Sequence, residues 1–150
     1  MPGMPSPGNV SREHDIAERV RGGIMPHRNV RVLIVEDDHH VSELLILFIK
    51  KYGYELCGVA ESGEDALELI RNTVPNLVFI DIVLKGKMTG IELARHINRE
   101  VRIPFIYITG HSDPQVIDEV IHTRPSAFIL KPFIGEELKV AVEIAVRKKT

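Results

Sequence analysis

Glu36, Asp37, Asp38, Asp81, Thr109 and Lys131 share one placement: each sits at, or just beyond, the end of a short apolar run. Carboxylates brought together repel one another, and a hard divalent cation relieves that repulsion; Mg²⁺ in particular favours a few carboxylate oxygens completed by water and phosphate oxygens. A hydroxyl and an ammonium at the same place would add a hydrogen-bond donor and a positive charge for an anion. Each residue also has a plain reading. Glu36-Asp37-Asp38 suits a solvated loop with Asp38 capping the following helix, Asp81 a turn, Thr109 a strand-end hydroxyl, and Lys131 a surface lysine before a proline. What separates the readings is whether the runs behind these residues converge.

The periodicity of the chain says that they do. Val30–Val35, Glu55–Ala60, Leu77–Ile80, Phe105–Thr109 and Ala127–Leu130 read as strands, the first nearly continuous in apolar residues, as expected for a strand covered on both faces. Between them lie helical patterns. Val41, Leu44, Leu45, Phe48 and Ile49 repeat at helical spacing up to Gly53. Ser62-Gly-Glu-Asp65 reads as a capping box opening a helix to about Asn72. Ile91–Asn98 forms a short helix after Gly90. Asp113-Pro114 places a cap and a first-turn proline ahead of Val116, Ile117, Val120 and Ile121. Glu136–Lys149 is a last helix, acidic at its start and basic at its end, as the helix dipole favours. Strict strand–helix alternation predicts an α/β doubly wound parallel sheet, five (βα) units in three layers. Ligands of such sheets bind beyond the carboxyl ends of the strands, which is the rim where these polar residues fall.

Bulk properties agree. A chain of 150 residues, 44% hydrophobic and 27% charged, suits one domain with a real core. A net charge of −2 supplies no basic field for nucleic acid or an anionic membrane. No apolar run is long enough to span a bilayer, the start lacks signal-peptide character, and a single cysteine, Cys57, forbids an internal disulfide; a cytoplasmic location is expected. Pro2, Gly3, Pro5, Pro7, Gly8 and Gly22-Gly23 interrupt regular structure, so residues 1–29 are expected to be a flexible extension, with a short helix over Ser11–Arg21 as the alternative, and residues 30–150 the domain.

Four stretches carry a family resemblance: Val32-Leu-Ile-Val-Glu-Asp-Asp38, Val78-Phe-Ile-Asp-Ile82 through Met88-Thr-Gly90, Phe105-Ile-Tyr-Ile-Thr109, and Phe128-Ile-Leu-Lys-Pro-Phe133. In this order and spacing they resemble the receiver domain of two-component response regulators, of the chemotaxis-regulator-like, single-domain type. The resemblance implies a flavodoxin-like sheet with strand order 2-1-3-4-5. It implies Asp81 as phosphoacceptor from a sensor histidine kinase or a histidine phosphotransfer protein in a phosphorelay. Mg²⁺ is then held directly by Asp37 and Asp81, partly through water by Glu36, and by the backbone carbonyl of Val83, with Lys131 paired to Asp81 and then to a phosphoryl oxygen. It further implies a switch in which Thr109 moves toward the phosphoryl group and Phe128 turns inward. That switch alters the surface of the fourth helix, fifth strand and fifth helix for a downstream protein target or for homodimerisation.

The resemblance is not complete. Glu36 stands where aspartate is common, the segment from Asp81 to Gly90 is one residue longer and has Leu84-Lys85-Gly86 in place of a proline, and Arg124-Pro125-Ser126 replaces a glycine-alanine turn. Val83 cannot hydrogen-bond an attacking water, while His111 is placed either to orient one or to shield the phosphoryl group; slow self-dephosphorylation is therefore expected. The competing enzyme class, haloacid-dehalogenase-like phosphatases, needs a second acid at the position of Val83, so a signalling module rather than an enzyme is expected. A pseudo-receiver is disfavoured by the full acidic set. His39-His40 reads as a solvated helix start rather than a metal site, Cys57 as a buried strand residue. Leu138, Ala141, Val142 and Ala145 form the core face of the last helix, and Val140 and Ile144 mark either a partner patch or ordinary exposed aliphatics.

Overall fold

In the computed structural model, which describes residues 29–148, the strands are β1 (Arg31–Val35), β2 (Glu55–Ala60), β3 (Leu77–Ile80), β4 (Phe105–Thr109) and β5 (Ala127–Leu130). The helices are α1 (His39–Lys51), α2 (Gly63–Thr73), α3 (Gly90–His96), α4 (Pro114–His122) and α5 (Gly135–Lys148). All strand pairs are parallel, in the order β2-β1-β3-β4-β5. The expected extension over residues 1–29 falls almost wholly outside the described residues.

Alternation along β1 builds the two cores. Val32 and Ile34 pack with Leu45, Ile49, Leu138 and Val142, placing α1 and α5 on one face. Leu33 and Val35 pack with Ala66, Ile70, Ile91, Leu93 and Val120, placing α2, α3 and α4 on the other. Every residue of β1 but the first, and all of β3 and β4, is buried, as strands covered twice must be.

Several local expectations are refined. Ser62 Oγ accepts from Asp65 N–H at 3.1 Å, but the complete reciprocal box belongs to Thr89 and Glu92 at the start of α3. Asp113 holds the N-cap position of α4 with Pro114 behind it, yet its side chain makes no cap hydrogen bond. The third helix runs past Asn98 into a wider π-type turn, Ile97–Val101, that ends on Arg102 in the left-handed conformation (φ 63°). Cys57 is half-buried rather than buried. The β1–β2 register jumps from Val32↔Leu56 to Leu33↔Gly58, so Cys57 is the extra residue of a bulge in an edge strand and leaves the inward alternation.

Candidate functional site

The parallel ladder places the acids. Val35 pairs with Ile80, so the next residues, Glu36 and Asp81, emerge side by side. Their backbones continue the sheet: Glu36 N–H donates to Ala60 C=O at 2.9 Å and Asp81 N–H to Val35 C=O at 3.0 Å. Lys131 follows β5 in the same way, donating to Thr109 C=O at 2.9 Å. Its ammonium then reaches back across the rim, 3.0 Å from Asp81 Oδ2 and 3.0 Å from Glu36 Oε1. One carboxylate oxygen each from Glu36, Asp37 and Asp81 lie within 4.8 Å of one another. Asp81 Oδ1 is buried and has no hydrogen-bond partner among the described residues.

The three neighbouring acids occupy three different environments. Glu36 is 3% exposed, and burial pushes its carboxyl up to about 7, with the Asp81 charge adding to the shift and the Lys131 hydrogen bond opposing it. Asp37 is half-buried at the pocket. Asp38 is exposed and caps α1: its Oδ1 accepts from His40 N–H at 2.9 Å and from Val41 N–H at 3.3 Å, which hold its carboxyl below the usual range. Asp38 thus caps α1 as its plain reading has it, while Glu36 and Asp37 converge with Asp81. Burial would depress the Lys131 ammonium, but its hydrogen bonds to Glu36 and Asp81 outweigh that and raise it.

Thr109 is fully buried and its Oγ1 accepts from His111 N–H at 3.3 Å. Phe128 is half-buried, its ring 6.1 Å from that of Tyr107. Tyr107 is anchored in turn: its hydroxyl lies 2.7 Å from Thr123 Oγ1, and Thr123 donates to Val120 C=O. Val83 is 52% exposed beside the pocket. His39 is exposed, with Nε2 3.5 Å from Glu61 Oε2. On α5, Leu138, Ala141, Val142 and Ala145 are buried, while Val140 and Ile144 are exposed and line a groove with Leu130 and Ile134.

Contacts that the sequence did not disclose fasten the long β3–α3 loop. Lys85 bridges Ser62 in a short parallel pairing, and its ammonium lies 3.0 Å from Glu61 Oε1. Gly86 takes φ +88°, and a Cβ there would stand 2.7 Å from Glu64 Oε1. Gly90 comes closest of all to the acids: its N–H donates to Ile82 C=O at 2.7 Å, and a Cβ would lie 2.0 Å from the Asp81 carbonyl oxygen. The residue pattern Thr89-Gly90-Ile91-Glu92 carried a readable signal, a capping box followed by an apolar run.

The profile of the response regulator receiver domain matches residues 32–143, which takes in every residue of this pocket. The chain belongs to that family. Among curated proteins, this receiver is 32% identical over 120 residues to an uncharacterized transcriptional regulatory protein of Bacillus subtilis, covering 80% of the chain and 51% of the relative. It is 32% identical over 119 residues to the transcriptional regulatory protein AfsQ1 of Streptomyces coelicolor, covering 78% and 51%. The chain therefore spans about half the length of the curated relatives it matches. Among solved structures, the signal receiver domain of a modulated diguanylate cyclase from Desulfovibrio desulfuricans superimposes with a TM-score of 0.76 at 29% identity, covering 79% of this chain and 94% of that one. A DNA-binding response regulator of the LuxR family from Staphylococcus aureus gives a TM-score of 0.73 at 28% identity, covering 78% and 98%. The flavodoxin-like fold and the two-component signalling class are thereby those of this receiver. Receivers are in general signalling modules that work through phosphorylation, exchange with histidine kinases and downstream effectors, and typically bind Mg²⁺ at an acidic pocket. Among the described residues no helix is long and apolar enough to cross a membrane.

Proposed function

We propose that this receiver takes a phosphoryl group on Asp81 from the phosphohistidine of a kinase or phosphotransfer protein and reports it through the α4-β5-α5 surface. The observation that carries the reading is the convergence of Glu36, Asp37 and Asp81 within 4.8 Å, with the Lys131 ammonium 3.0 Å from both Glu36 and Asp81. In the transfer, the histidine N–P bond breaks as an Asp81 Oδ–P bond forms, and the imidazole nitrogen keeps the electron pair. Such a transfer asks the protein mainly for positioning and charge stabilisation. Lys131, already on Asp81, would shift to a phosphoryl oxygen. Thr109 would turn its hydroxyl toward another, and Phe128 would turn into the space that Thr109 leaves. The exposed Leu130, Ile134, Val140 and Ile144 would then carry the change to a downstream protein or a second copy. Residues 30–150 form the unit, residues 1–29 its extension, and the cytoplasm its place of action.

The acidic pocket fits Mg²⁺. Mg–O distances of about 2.0–2.1 Å set opposite ligands about 4 Å apart, so oxygens already within 4.8 Å need little adjustment. Asp81 Oδ1, buried without a partner, is the kind of atom a cation satisfies. Glu36, Asp37 and Asp81 would hold it, with the Val83 carbonyl as a further ligand. When bound, Mg²⁺ supplies charge neutralisation for the carboxylates and the phosphoryl oxygens.

The deciding experiment incubates the protein with a small phosphodonor and Mg²⁺ and follows the acid-stable, base-labile phosphoprotein by intact mass. Wild type is expected to gain one phosphoryl group and Asp81→Asn none; labelling that persists in the variant would sink the assignment. Phosphate lifetime is a separate matter. Val83 offers no polar atom to a water approaching the phosphoryl group, so Val83→Asn is expected to shorten the lifetime of the phosphorylated protein several-fold, on the order of what one added hydrogen bond contributes. An unchanged decay rate, followed by mass after removing the donor, would remove Val83 from consideration.

A further inference from the structure

At the opposite end of the sheet from the acids, two arginines stand in a conformation that suits glycine. Arg102 ends the π-type turn after α3 with φ 63°, and Arg124 follows α4 with φ 54°. Both are left-handed, a region that side chains with a Cβ seldom occupy and that glycine occupies freely. Each is fixed by its backbone: Arg102 N–H donates to Ile97 C=O at 2.7 Å and Arg124 N–H to Ile121 C=O at 3.0 Å. Cations near a helix C-terminus are favourable, but Arg99 and His122 already supply that within the preceding turns without left-handed backbone.

Both residues line one open cavity of about 500 Å³ with Asn98, Ile103, Pro104 and Ser126. Among the described residues no Asp or Glu lines it. Among the same described residues neither guanidinium has a hydrogen-bond or ion-pair partner, so the five N–H donors of each are uncommitted there. The Asn98 amide nitrogen is committed to Thr123 C=O at 2.8 Å, which fixes that wall. Ile103 and Pro104, both half-buried, give the cavity an apolar side. Planar guanidinium forks match phosphate geometry, and a paired set of them selects a dianion over a single charge.

We propose that this cavity binds a small phosphate monoester with an apolar body, its phosphate held between Arg102 and Arg124 and its body against Ile103 and Pro104. The cavity lies at the starting ends of β4 and β5, whose far ends carry Thr109 and Lys131, so it is a second site and not an extension of the acidic pocket.

The probe is phenyl phosphate, titrated into the full 150-residue chain by ¹H–¹⁵N spectroscopy with EDTA present and no phosphodonor, which separates the outcome from the fate of Asp81. Saturable shifts are expected at the amides of residues 98, 102, 124 and 126. Arg102→Gln and Arg124→Gly are each expected to weaken binding about tenfold, the loss of one charge-assisted contact. Arg124→Gly is expected at the same time to raise the melting temperature, because glycine relieves the left-handed position. Loss of binding with a rise in stability cannot come from a misfolded variant. The proposal is overturned by any of four results: no saturable shifts, shifts centred on Lys131, affinity unchanged in either variant, or inorganic phosphate binding as tightly as the ester and yielding to chloride. The last would mean an adventitious ion only.

Discussion

Gly90→Ala is expected to lower the melting temperature by about 10 °C, corresponding to about 3 kcal/mol in a domain of this size. The added methyl would sit 2.0 Å from the Asp81 carbonyl oxygen and 2.8 Å from Ile82 Cα. Both obstacles are backbone, so no rotamer change relieves the clash. Asp81 and Ile82 are themselves buried at the end of β3, between β1 and the start of α3. The helix must therefore move away from the strand, breaking the 2.7 Å bond from Gly90 N–H to Ile82 C=O that registers one against the other. Because that movement begins at Asp81, weakened Mg²⁺ binding is expected along with the loss of stability. Gly110→Ala provides the contrast: a Cβ there meets nothing within 4 Å, and a change under about 0.5 kcal/mol is expected. Thermal melts of the two variants check both statements, and a Gly90→Ala melt within two or three degrees of wild type would show that the strand–helix junction is softer than this geometry implies.

Lys131→Met is expected to destabilise the metal-free protein by about 2 kcal/mol at pH 8, and by clearly less at pH 6. Removing one partner of a buried ion pair usually costs about 3–5 kcal/mol; the value is discounted because the Lys131 side chain remains 23% exposed. The pH dependence comes from Glu36. Its carboxyl is raised by burial from 4.5 to about 7 in the folded protein. A raised acid contributes stability that is complete below its unfolded pKa of 4.5 and is lost as pH rises through 7. Lys131 opposes that shift, so its removal moves the folded pKa higher still and widens the window of loss. At pH 6 Glu36 is mostly protonated, and the missing ammonium leaves mainly Asp81 exposed to the defect. With one cation gone, the carboxylates should take up Mg²⁺ more tightly, so MgCl₂ is expected to raise the melting temperature of the variant more than that of wild type. Melts at pH 6 and pH 8, in EDTA and in Mg²⁺, test the sign of each effect. Equal destabilisation at both pH values would mean that Glu36 does not titrate in this range.

The contrast between these residues and others shows what one dimension of sequence can carry. The placement of Glu36, Asp81 and Lys131 was legible because parallel strands end at one edge, so the residue after each apolar run inherits a position from the sheet, and Asp37 and Thr109 lie one step either side of such an end. The strand order was not derivable from periodicity and came with the family resemblance. Cys57 was misplaced because a bulge shifts alternation by one residue, and nothing local announces it. Asp113 has the right residue type for a cap, but cap position and cap hydrogen bond are separate matters, and only the second depends on the side-chain rotamer. The Lys85–Glu61 pair and the approach of Gly90 to Asp81 join residues brought together by tertiary packing, for which no spacing rule exists.

Three consecutive acids ordinarily count as three negative charges. Here they do not. Asp38 is held ionised in water by the first amides of α1, while burial raises the Glu36 carboxyl to about 7, so it keeps its proton to far higher pH than an exposed glutamate. The formal net charge of −2 assigns Glu36 a full charge, so a proton kept on Glu36 leaves the metal-free protein less negative than its composition states. Binding a divalent cation would expel that proton, and the charge gained would be correspondingly smaller than two. The isoelectric point of this protein is thus a property of its ligation state, and electrophoretic mobility measured near pH 7, with and without Mg²⁺, reads the occupancy of the pocket without any label.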